Sequence, residues 1–377
     1  MNLLKLLEGI RTPILDKLFG IITYLGDEIA FLALAIIFYW CVSKRRGLYI
    51  MTVGLFGTVI NQVLKLTFRI DRPWVKDPTF KPVESAVERA TGYSFPSGHT
   101  QNATGTFGTI GVMSKGWGGR ILAILCILLV AFSRMYLGVH TPLDVFTSLG
   151  IGIAITALLY PVFKSDENTD RFMPIITIVG MFLSLLFILY FPIFGNDFAP
   201  TDTNYQSGLK NAYTMAGCTI GLTLIYFFDK RYIKFDTGAN WYTQIIKTLL
   251  GLGITLLLKE TLRTPLEFVC GGNELIARML RYLIVVLFAG AVWPLTFKYF
   301  TRIRISALDR FGEWVSHLFK RKNEDEPTDD EEADEEKPKP ERKRIITLPD
   351  GSEVYNPKKP KKPSWRKANK RTKRRYK

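Results

Sequence analysis

The chain has 377 residues, 47% of them hydrophobic, and a formal net charge of +16. Its charges are concentrated in short clusters and after residue 300, whereas four long segments contain none: 145–163, 174–194, 211–228 and 282–297. Apolar segments of roughly 20 residues match the ~30 Å hydrocarbon core of a bilayer. The pattern excludes an ordinary soluble enzyme, a disordered chain and a disulfide scaffold. The four cysteines show no paired or metal-ligand spacing and are expected to be free thiols.

The first 26 residues have an amphipathic pattern. Leucines such as Leu3, Leu4 and Leu7 are interleaved with charged residues, including Lys5 and Glu8. The charges interrupt the apolar core that a cleaved signal peptide needs. We therefore expect residues 1–26 to lie at a membrane interface rather than to span it.

About nine transmembrane helices are predicted after this segment, which makes the fold class all-α, a polytopic membrane helical bundle. They lie near 27–43, 47–68, 100–115, 119–138, 142–163, 173–194, 211–229, 241–259 and 276–299. With nine spans, the loops rich in Lys and Arg share one side, which the positive-inside bias makes cytoplasmic. These loops are 43–47, 115–120, 164–171, 230–234 and the start of the tail at 298–304. The opposite, outer side receives 69–99, 134–141, 195–210 and 260–275.

Polar residues gather in three clusters, all on the predicted outer side. The first is Lys65-x6-Arg72-Pro73. A spacing of seven residues is close to two helical turns, so Lys65 and Arg72 are expected to share a helix face before Pro73 ends the helix. A lysine in an apolar span is costly and indicates a function. The alternative is that Lys65 extends to the lipid headgroups.

The second cluster is Tyr93-Ser-Phe-Pro-Ser97-Gly98-His99, directly before the third span. Gly98 permits close approach of a ligand to the backbone, and a helix N-terminus with free N–H groups attracts anions. Ser97 has a simpler interpretation as a helix cap. Capping does not explain His99.

The third cluster is Ser133-Arg134-x5-His140-x3-Asp144. Thr141-Pro142-Leu143-Asp144 is typical of a helix start with a capping box, so Asp144 has a structural alternative. The same geometry lets Asp144 reach a ring nitrogen of His140, fixing its tautomer and raising its basicity. Two of the chain's three histidines lie in these clusters.

The tail from residue 323 is predicted to be disordered and cytoplasmic, after an amphipathic juxtamembrane segment at 301–322. Residues 324–336 include ten acidic residues and 357–377 include twelve basic ones. Neither block can build a core. The two blocks either attract each other in solution, or the basic block contacts anionic cytoplasmic lipid. Nucleic acid is not an expected partner, because Trp365 and Tyr376 are the only aromatic residues in the basic block.

Together the three clusters resemble the tripartite signature of the type 2 phosphatidic acid phosphatase superfamily, in order and with intact spacing, over roughly residues 60–160. The nine-span layout is similar to that of the glucose-6-phosphatase-like and sphingosine-phosphate phosphatase branches. The resemblance implies a six-helix phosphatase core with extra C-terminal spans. We place the catalytic membrane core at 27–165 and the additional helices at 166–300.

The resemblance also implies the chemistry. His140 is expected to attack phosphorus, Asp144 to orient it, and His99 to protonate the leaving oxygen. Lys65, Arg72, Ser97, Gly98 and Arg134 are expected to bind the phosphate. No cofactor is expected, and no metal, since the loops lack a carboxylate cluster for Mg²⁺.

The function predicted is therefore a metal-independent integral membrane phosphatase that acts on a lipid phosphate or diphosphate through a phosphohistidine. Candidate substrates are undecaprenyl diphosphate, phosphatidic acid, phosphatidylglycerol phosphate and sphingoid phosphates. A phosphotransferase of the same superfamily and a non-enzymatic lipid transporter remain alternatives. The sequence of residues 136–142, YLGVHTP, resembles that of bacterial members of the superfamily. We therefore expect a bacterial plasma membrane, with the active site facing outward.

Overall fold

The computed structural model describes residues 1–88, 90, 92–195, 198, 202–311, 314, 345–347 and 353–355. It divides into two compact units, Met1–Trp314 and Val315–Lys377. The described part of the first unit is entirely helical. In the second, two short strands, β1 (Ile345–Thr347) and β2 (Glu353–Tyr355), pair antiparallel, which the sequence did not predict. Most of the tail lies outside the described residues, so its expected disorder stays a prediction.

The helices of the first unit follow the predicted order closely. They are α1 (Asn2–Gly9), α2 (Pro13–Ile22), α3 (Glu28–Ile37), α4 (Lys44–Phe68), α5 (Pro73–Lys76), α6 (Glu84–Val87), α7 (Gly98–Met113), α8 (Trp117–Tyr136), α9 (Pro142–Phe163), α10 (Asp166–Phe194), α11 (Thr203–Phe228), α12 (Trp241–Thr261), α13 (Arg263–Val269), α14 (Glu274–Leu287) and α15 (Phe297–Phe300). A 3₁₀ turn, Thr23–Gly26, joins α2 to α3, and residues 306–311 of the juxtamembrane segment are helical.

Six helical segments in the described part of the chain are long and apolar enough to cross a membrane. They are Lys44–Lys76, Trp117–Tyr136, Pro142–Phe163, Asp166–Phe194, Trp241–Thr261 and Glu274–Phe300. The count becomes seven if Pro13–Gly26 and Glu28–Val42, which meet at an angle of 51°, form one span. The membrane-helix architecture agrees with the prediction, but the count of nine is not confirmed.

One predicted feature of the first cluster is wrong. Helix α4 ends at Phe68, and Arg69 adopts a left-handed conformation with φ 49°. The chain therefore leaves the helix axis before Arg72, so Lys65 and Arg72 do not share a helix face. Arg72 instead lies directly before α5, which Pro73 begins.

The N-terminal segment packs on the end of α8 that bears Tyr136. The Tyr136 hydroxyl donates to Asp16 Oδ1 at 2.9 Å, and Arg11 Nε donates to the Tyr136 carbonyl at 3.0 Å. The ring of Phe19 lies 4.5 Å from the ring of Tyr136. These contacts place α2 and the 3₁₀ turn against the region where the three polar clusters meet.

Candidate active site

The three clusters meet at one end of the bundle, although they come from five different elements. Lys65 lies in the last turn of α4, Arg72 precedes α5, the Ser97–His99 turn begins α7, Arg134 lies in the last turn of α8, and His140 and Asp144 flank the start of α9. All of these side chains except that of His99 are buried, and His99 is 20% exposed. Lysine and arginine are rarely buried without an ion pair, so this concentration of buried charge indicates a functional site.

His140 lies between a carboxylate and a guanidinium. Its Nδ1 is 3.4 Å from Asp144 Oδ2, and its Nε2 is 3.0 Å from Arg72 Nη1. Because arginine can only donate, Nε2 must accept, which assigns the ring proton to Nδ1, facing Asp144. The ring therefore presents a lone pair at Nε2, and the contact with Arg72 covers it.

The charge state of His140 follows from its surroundings. Burial lowers the pKa of the His140 imidazole well below its usual value, and the positive charges of Arg72, Arg134 and Lys65 lower it further. The imidazole is therefore neutral at pH 7 while no anion is bound. A neutral imidazole is the form that can act as a nucleophile.

Asp144 combines the capping contact with a position beside His140. Its Oδ2 accepts from the Thr141 backbone N–H at 2.8 Å, while the Asp144 N–H donates to Thr141 Oγ1 at 3.3 Å, which completes a capping box. The same Oδ2 faces His140 and accepts from Ser94 Oγ at 2.5 Å. The capping box thus fixes the carboxylate beside the imidazole.

Lys65 holds the second cluster in place. Its Nζ donates to the carbonyls of Tyr93 and Ser94 at 2.5 and 3.4 Å, and its side chain is only 8% exposed. The alternative that Lys65 extends to the headgroups is therefore wrong. Arg72 is anchored similarly, by Nε to the Gly92 carbonyl at 3.0 Å.

Ser97 caps α7, as its simpler interpretation predicted. Its Oγ accepts from the Thr100 N–H at 3.4 Å, and its own N–H donates to the Asp144 carbonyl at 3.2 Å. A Cβ added to Gly98 would meet only Asn61 Oδ1, at an ordinary 3.8 Å. Packing therefore does not require glycine at position 98. Close approach of a ligand to the backbone would require it.

A cavity of about 210 Å³ adjoins the site, and it contacts His99 and Arg134. Its other walls are largely N-terminal: Thr23, Tyr24 and Asp27 contribute to them. Arg134 Nη1 donates to Thr23 Oγ1 at 2.8 Å, while Arg134 Nε is buried without a hydrogen-bond partner among the described residues. An arginine whose Nη1 is hydrogen-bonded and whose buried Nε has no partner is suited to bind an anion.

Asp27 is a site residue that the sequence did not reveal. Its Oδ2 lies 3.8 Å from His99 Nε2, and its Oδ1 caps α3 by accepting from the Ile29 N–H at 2.9 Å. In the sequence it is separated from His99 by 71 residues and resembles an ordinary helix cap. Thr23 was missed because a short polar side chain gives no spacing signal of its own, and Ser94 was part of the second cluster but was given no role there.

The described residues contain no group of three or more His, Cys, Asp or Glu side chains that could hold a metal ion. The site's charge is instead supplied by Lys65, Arg72 and Arg134. Such a site attracts an anion with several oxygen atoms, and the neutral imidazole provides a nucleophile beside it.

Comparison with known proteins agrees with this geometry. Residues 46–167 match the family model of the PAP2 superfamily, and residues 213–304 match the model of a PAP2 superfamily phosphatase transmembrane extension. The first covers all three clusters. No solved structure matches the chain.

Three curated relatives illustrate the range of similarity. The chain is 31% identical to an undecaprenyl-diphosphatase of Bacillus subtilis, over 42% of this chain and 81% of that protein. It is also 31% identical to phosphatidylglycerophosphatase B of the same organism, over 43% of this chain and 81% of that protein. Identity to mouse sphingosine-1-phosphate phosphatase 2 is 24%, over 56% of this chain and 59% of that protein. The chain spans 40–59% of the length of three sphingosine-1-phosphate phosphatases that it matches.

Proposed function

Because the chain belongs to the PAP2 superfamily, we propose that it is an integral membrane phosphatase that hydrolyses a lipid phosphate or diphosphate through a phosphohistidine. The observation that carries this proposal is the alignment of Asp144, His140 and Arg72. It combines an oriented neutral imidazole with a guanidinium at the nitrogen that would attack.

The first step forms a bond between His140 Nε2 and phosphorus and breaks the bond from phosphorus to the leaving oxygen. For Nε2 to attack, Arg72 must transfer its hydrogen bond from the imidazole to a phosphate oxygen. Lys65 and Arg134 balance the remaining negative charge, and the N–H groups at the start of α7 complete the site. The leaving oxygen takes a proton from His99.

The second step releases phosphate. Water attacks the phosphohistidine, the bond between Nε2 and phosphorus breaks, and His99 accepts the proton from the water. Asp144 stabilises the Nδ1 proton throughout, as the carboxylate does in other histidine–aspartate pairs. The enzyme then returns to its starting protonation state without a metal ion.

We further propose polyprenyl diphosphate as the substrate class, with phosphatidic acid, phosphatidylglycerol phosphate and sphingoid phosphates as its competitors. The similarity to a bacterial undecaprenyl-diphosphatase supports this choice. It also supports a bacterial plasma membrane as the location. The uneven distribution of Lys and Arg among the loops supports an outward-facing site and a cytoplasmic tail, whose basic end contacts anionic lipid.

Nine membrane crossings remain our proposal for the bundle. Helix α7 has only 16 residues, but it packs antiparallel to α8, with Gly111 opposite Ala123. Helix α11 packs along the candidate span Glu274–Phe300, from Gly217 at Met279 to Ile225 at Gly290. Each of these helices lies beside a span of full length, which supports counting α7 and α11 as crossings. Helix α3 packs on the full-length α4, with the Phe31 ring against Gly54, which supports counting it too.

Phosphate release by the purified full-length protein tests the function. The panel comprises undecaprenyl diphosphate, phosphatidic acid, phosphatidylglycerol phosphate and sphingosine phosphate, with EDTA present. We expect turnover with EDTA and fastest release from the diphosphate. Transfer of the phosphoryl group to added glycerol or lipid acceptors in place of water would instead favour a phosphotransferase, and lipid movement without phosphate release would favour a transporter.

His140→Ala should reduce turnover about 10³-fold or more, because it removes the side chain proposed to form the covalent intermediate. Circular dichroism and gel filtration in detergent should show an intact protein. His317→Ala, a histidine outside the described residues, is the control and should keep full turnover. Near-normal release by a folded His140→Ala protein would reject the assignment.

A further inference from the structure

Another buried cation, Arg281, lies outside the three clusters, on α14 of the transmembrane extension. Arg281 is only 8% exposed, although it lies within a candidate membrane span. Its Nε is buried without a hydrogen-bond partner, and its guanidinium makes no hydrogen bond or ion pair with any residue that the structure describes. Its guanidinium carbon lies 5.6 Å from the centre of the Tyr282 ring.

The charged residues around Arg281 pair with one another instead. Lys210 lies 2.9 Å from Glu274, Arg263 lies 3.2 Å from Glu267, and Lys259 lies 3.6 Å from Glu260. Arg278 is 3.9 Å from Glu274, and together with Lys259 it is within electrostatic range of Glu28. Among these nine residues the positive charges exceed the negative ones by one, and Arg281 is the cation left over.

Extension of the Arg281 side chain to water does not explain how its charge is stabilised. Arg281 lies seven residues after Glu274, or about 10 Å further along the helix axis. A side chain reaching the lipid headgroups would be exposed, whereas this one is almost fully covered. A buried unpaired cation in a membrane span indicates a missing anionic partner.

The position of the cluster limits what that partner can be. Arg281, Arg278 and Arg263 line a narrow cleft between α13 and α14. This cleft is at the same end of the bundle as the candidate active site, because Glu28 directly follows Asp27. Beside it, Phe268 and Val269 of α13 are 86% and 74% exposed, as expected of side chains that contact lipid.

We propose that the cleft between α13 and α14 binds the phosphate group of an anionic membrane lipid through Arg281 and Arg278. A phosphodiester carries one negative charge, which matches the excess charge of the cluster. The two arginines lie on successive turns of α14 and supply fork-shaped donors suited to phosphate. The cleft has too little free space for a phosphate group as its side chains stand. Binding therefore requires α13 to move away from α14.

Thermal unfolding of the full-length protein tests this site. In micelles of a neutral detergent, phosphatidylglycerol should raise the Tm of the wild type, and phosphatidylcholine should not. Phosphatidylglycerol has no phosphate monoester, so the reaction proposed at His140 does not consume it. In Arg281→Gln the half-saturating mole fraction of phosphatidylglycerol should rise at least about tenfold. Arg302→Gln, which removes an exposed arginine elsewhere, should behave as the wild type.

If Arg281→Gln fails to give a monodisperse protein, Arg281→Lys replaces it, since lysine keeps the charge but loses the paired donors. An undiminished lipid-dependent Tm rise in either variant, or none in the wild type, would overturn the proposal. A separate titration with inorganic phosphate distinguishes the source of the anion. A Tm rise with free phosphate that depends on Arg281 and matches that with lipid would overturn a lipid as the occupant.

Discussion

His99 has a carboxylate neighbour that lies outside all three sequence motifs and outside residues 46–167. The Asp27 carboxylate, 3.8 Å from His99 Nε2, brings a negative charge beside the imidazole proposed to act as the acid. Each histidine of the site therefore has its own aspartate. Asp144 faces the imidazole proposed to attack, and Asp27 faces the one proposed to donate a proton.

Asp27→Asn should slow the reaction only for substrates whose leaving group must be protonated. Asparagine can still cap α3, so the variant removes the charge and keeps the helix start. We expect turnover of lipid phosphates to fall about 10- to 100-fold, and that of p-nitrophenyl phosphate, whose leaving group needs no proton, to change less than about threefold. Glu28→Gln, which removes the adjacent charge, is the control. Equal losses on both substrates would indicate a structural role instead.

The protonation of His140 can be observed directly, because the chain has only three histidines. In a His99→Gln/His317→Gln protein, nitrogen NMR reports a single imidazole. Without anions, its pKa should lie below the usual value of about 6.5, so the ring stays neutral until the pH falls through that lowered pKa. Added vanadate should raise the pKa by offsetting the nearby positive charges. Titration at or above the usual value without anions would contradict the burial argument.

The site residues that the sequence identified were those with fixed local spacing. His140 and Asp144 are four residues apart at a helix start, and local geometry alone brings them together. Asp27 and Thr23 were not predictable, because their contacts with His99 and Arg134 depend on how α2 and α3 pack against α7 and α8. The shared face of Lys65 and Arg72 was predicted wrongly, because nothing in the sequence indicates the left-handed Arg69.

At the scale of elements, the N-terminal segment forms a wall of the site, a role that its amphipathic pattern did not suggest. The 3₁₀ turn at Thr23–Gly26 contacts the first turn of α7 closely. A Cβ added to Gly26 would lie 2.5 Å from the His99 carbonyl oxygen and 2.7 Å from Val130 Cγ1. Only glycine permits this approach.

Gly26→Ala should therefore displace the turn by about 1 Å and lower turnover roughly 100-fold, since misplacing site groups by that distance is costly. Gly9→Ala is the matched control, because a Cβ there meets nothing within 4 Å. Phosphate release by both purified variants is the measurement. Unchanged turnover in Gly26→Ala would mean that the site tolerates movement of this wall.

Burial helps to explain why α7 and α11 are not among the helices that length and hydropathy identify as candidate membrane spans. Helix α7 buries polar and small residues against its neighbours, including Thr100, Thr104 and Gly105. Helix α11 does the same with Gly217 and Thr219. Small residues suit helices packed inside a membrane bundle, where lipid contact is limited and backbones approach closely. Such helices have lower hydropathy than those that face lipid.

At the scale of the whole molecule, the distribution of basic loops predicts which membrane face carries the site. Single cysteines at Val75 and Glu167, in a background lacking the four native cysteines, test this orientation. Both positions are exposed. A membrane-impermeant thiol reagent on intact cells should label position 75 and spare position 167. Labelling of position 167 alone would place hydrolysis in the cytoplasm.

The capping box at Asp144 affects which site residues are expected to be conserved among related proteins. One oxygen, Oδ2, both helps to start α9 and faces His140. A lineage that abandoned catalysis would be free to replace His140 but would still need Asp144 to fold this helix. Retention of the aspartate among descendants therefore says little about whether they are active, whereas retention of His140 is the informative trait.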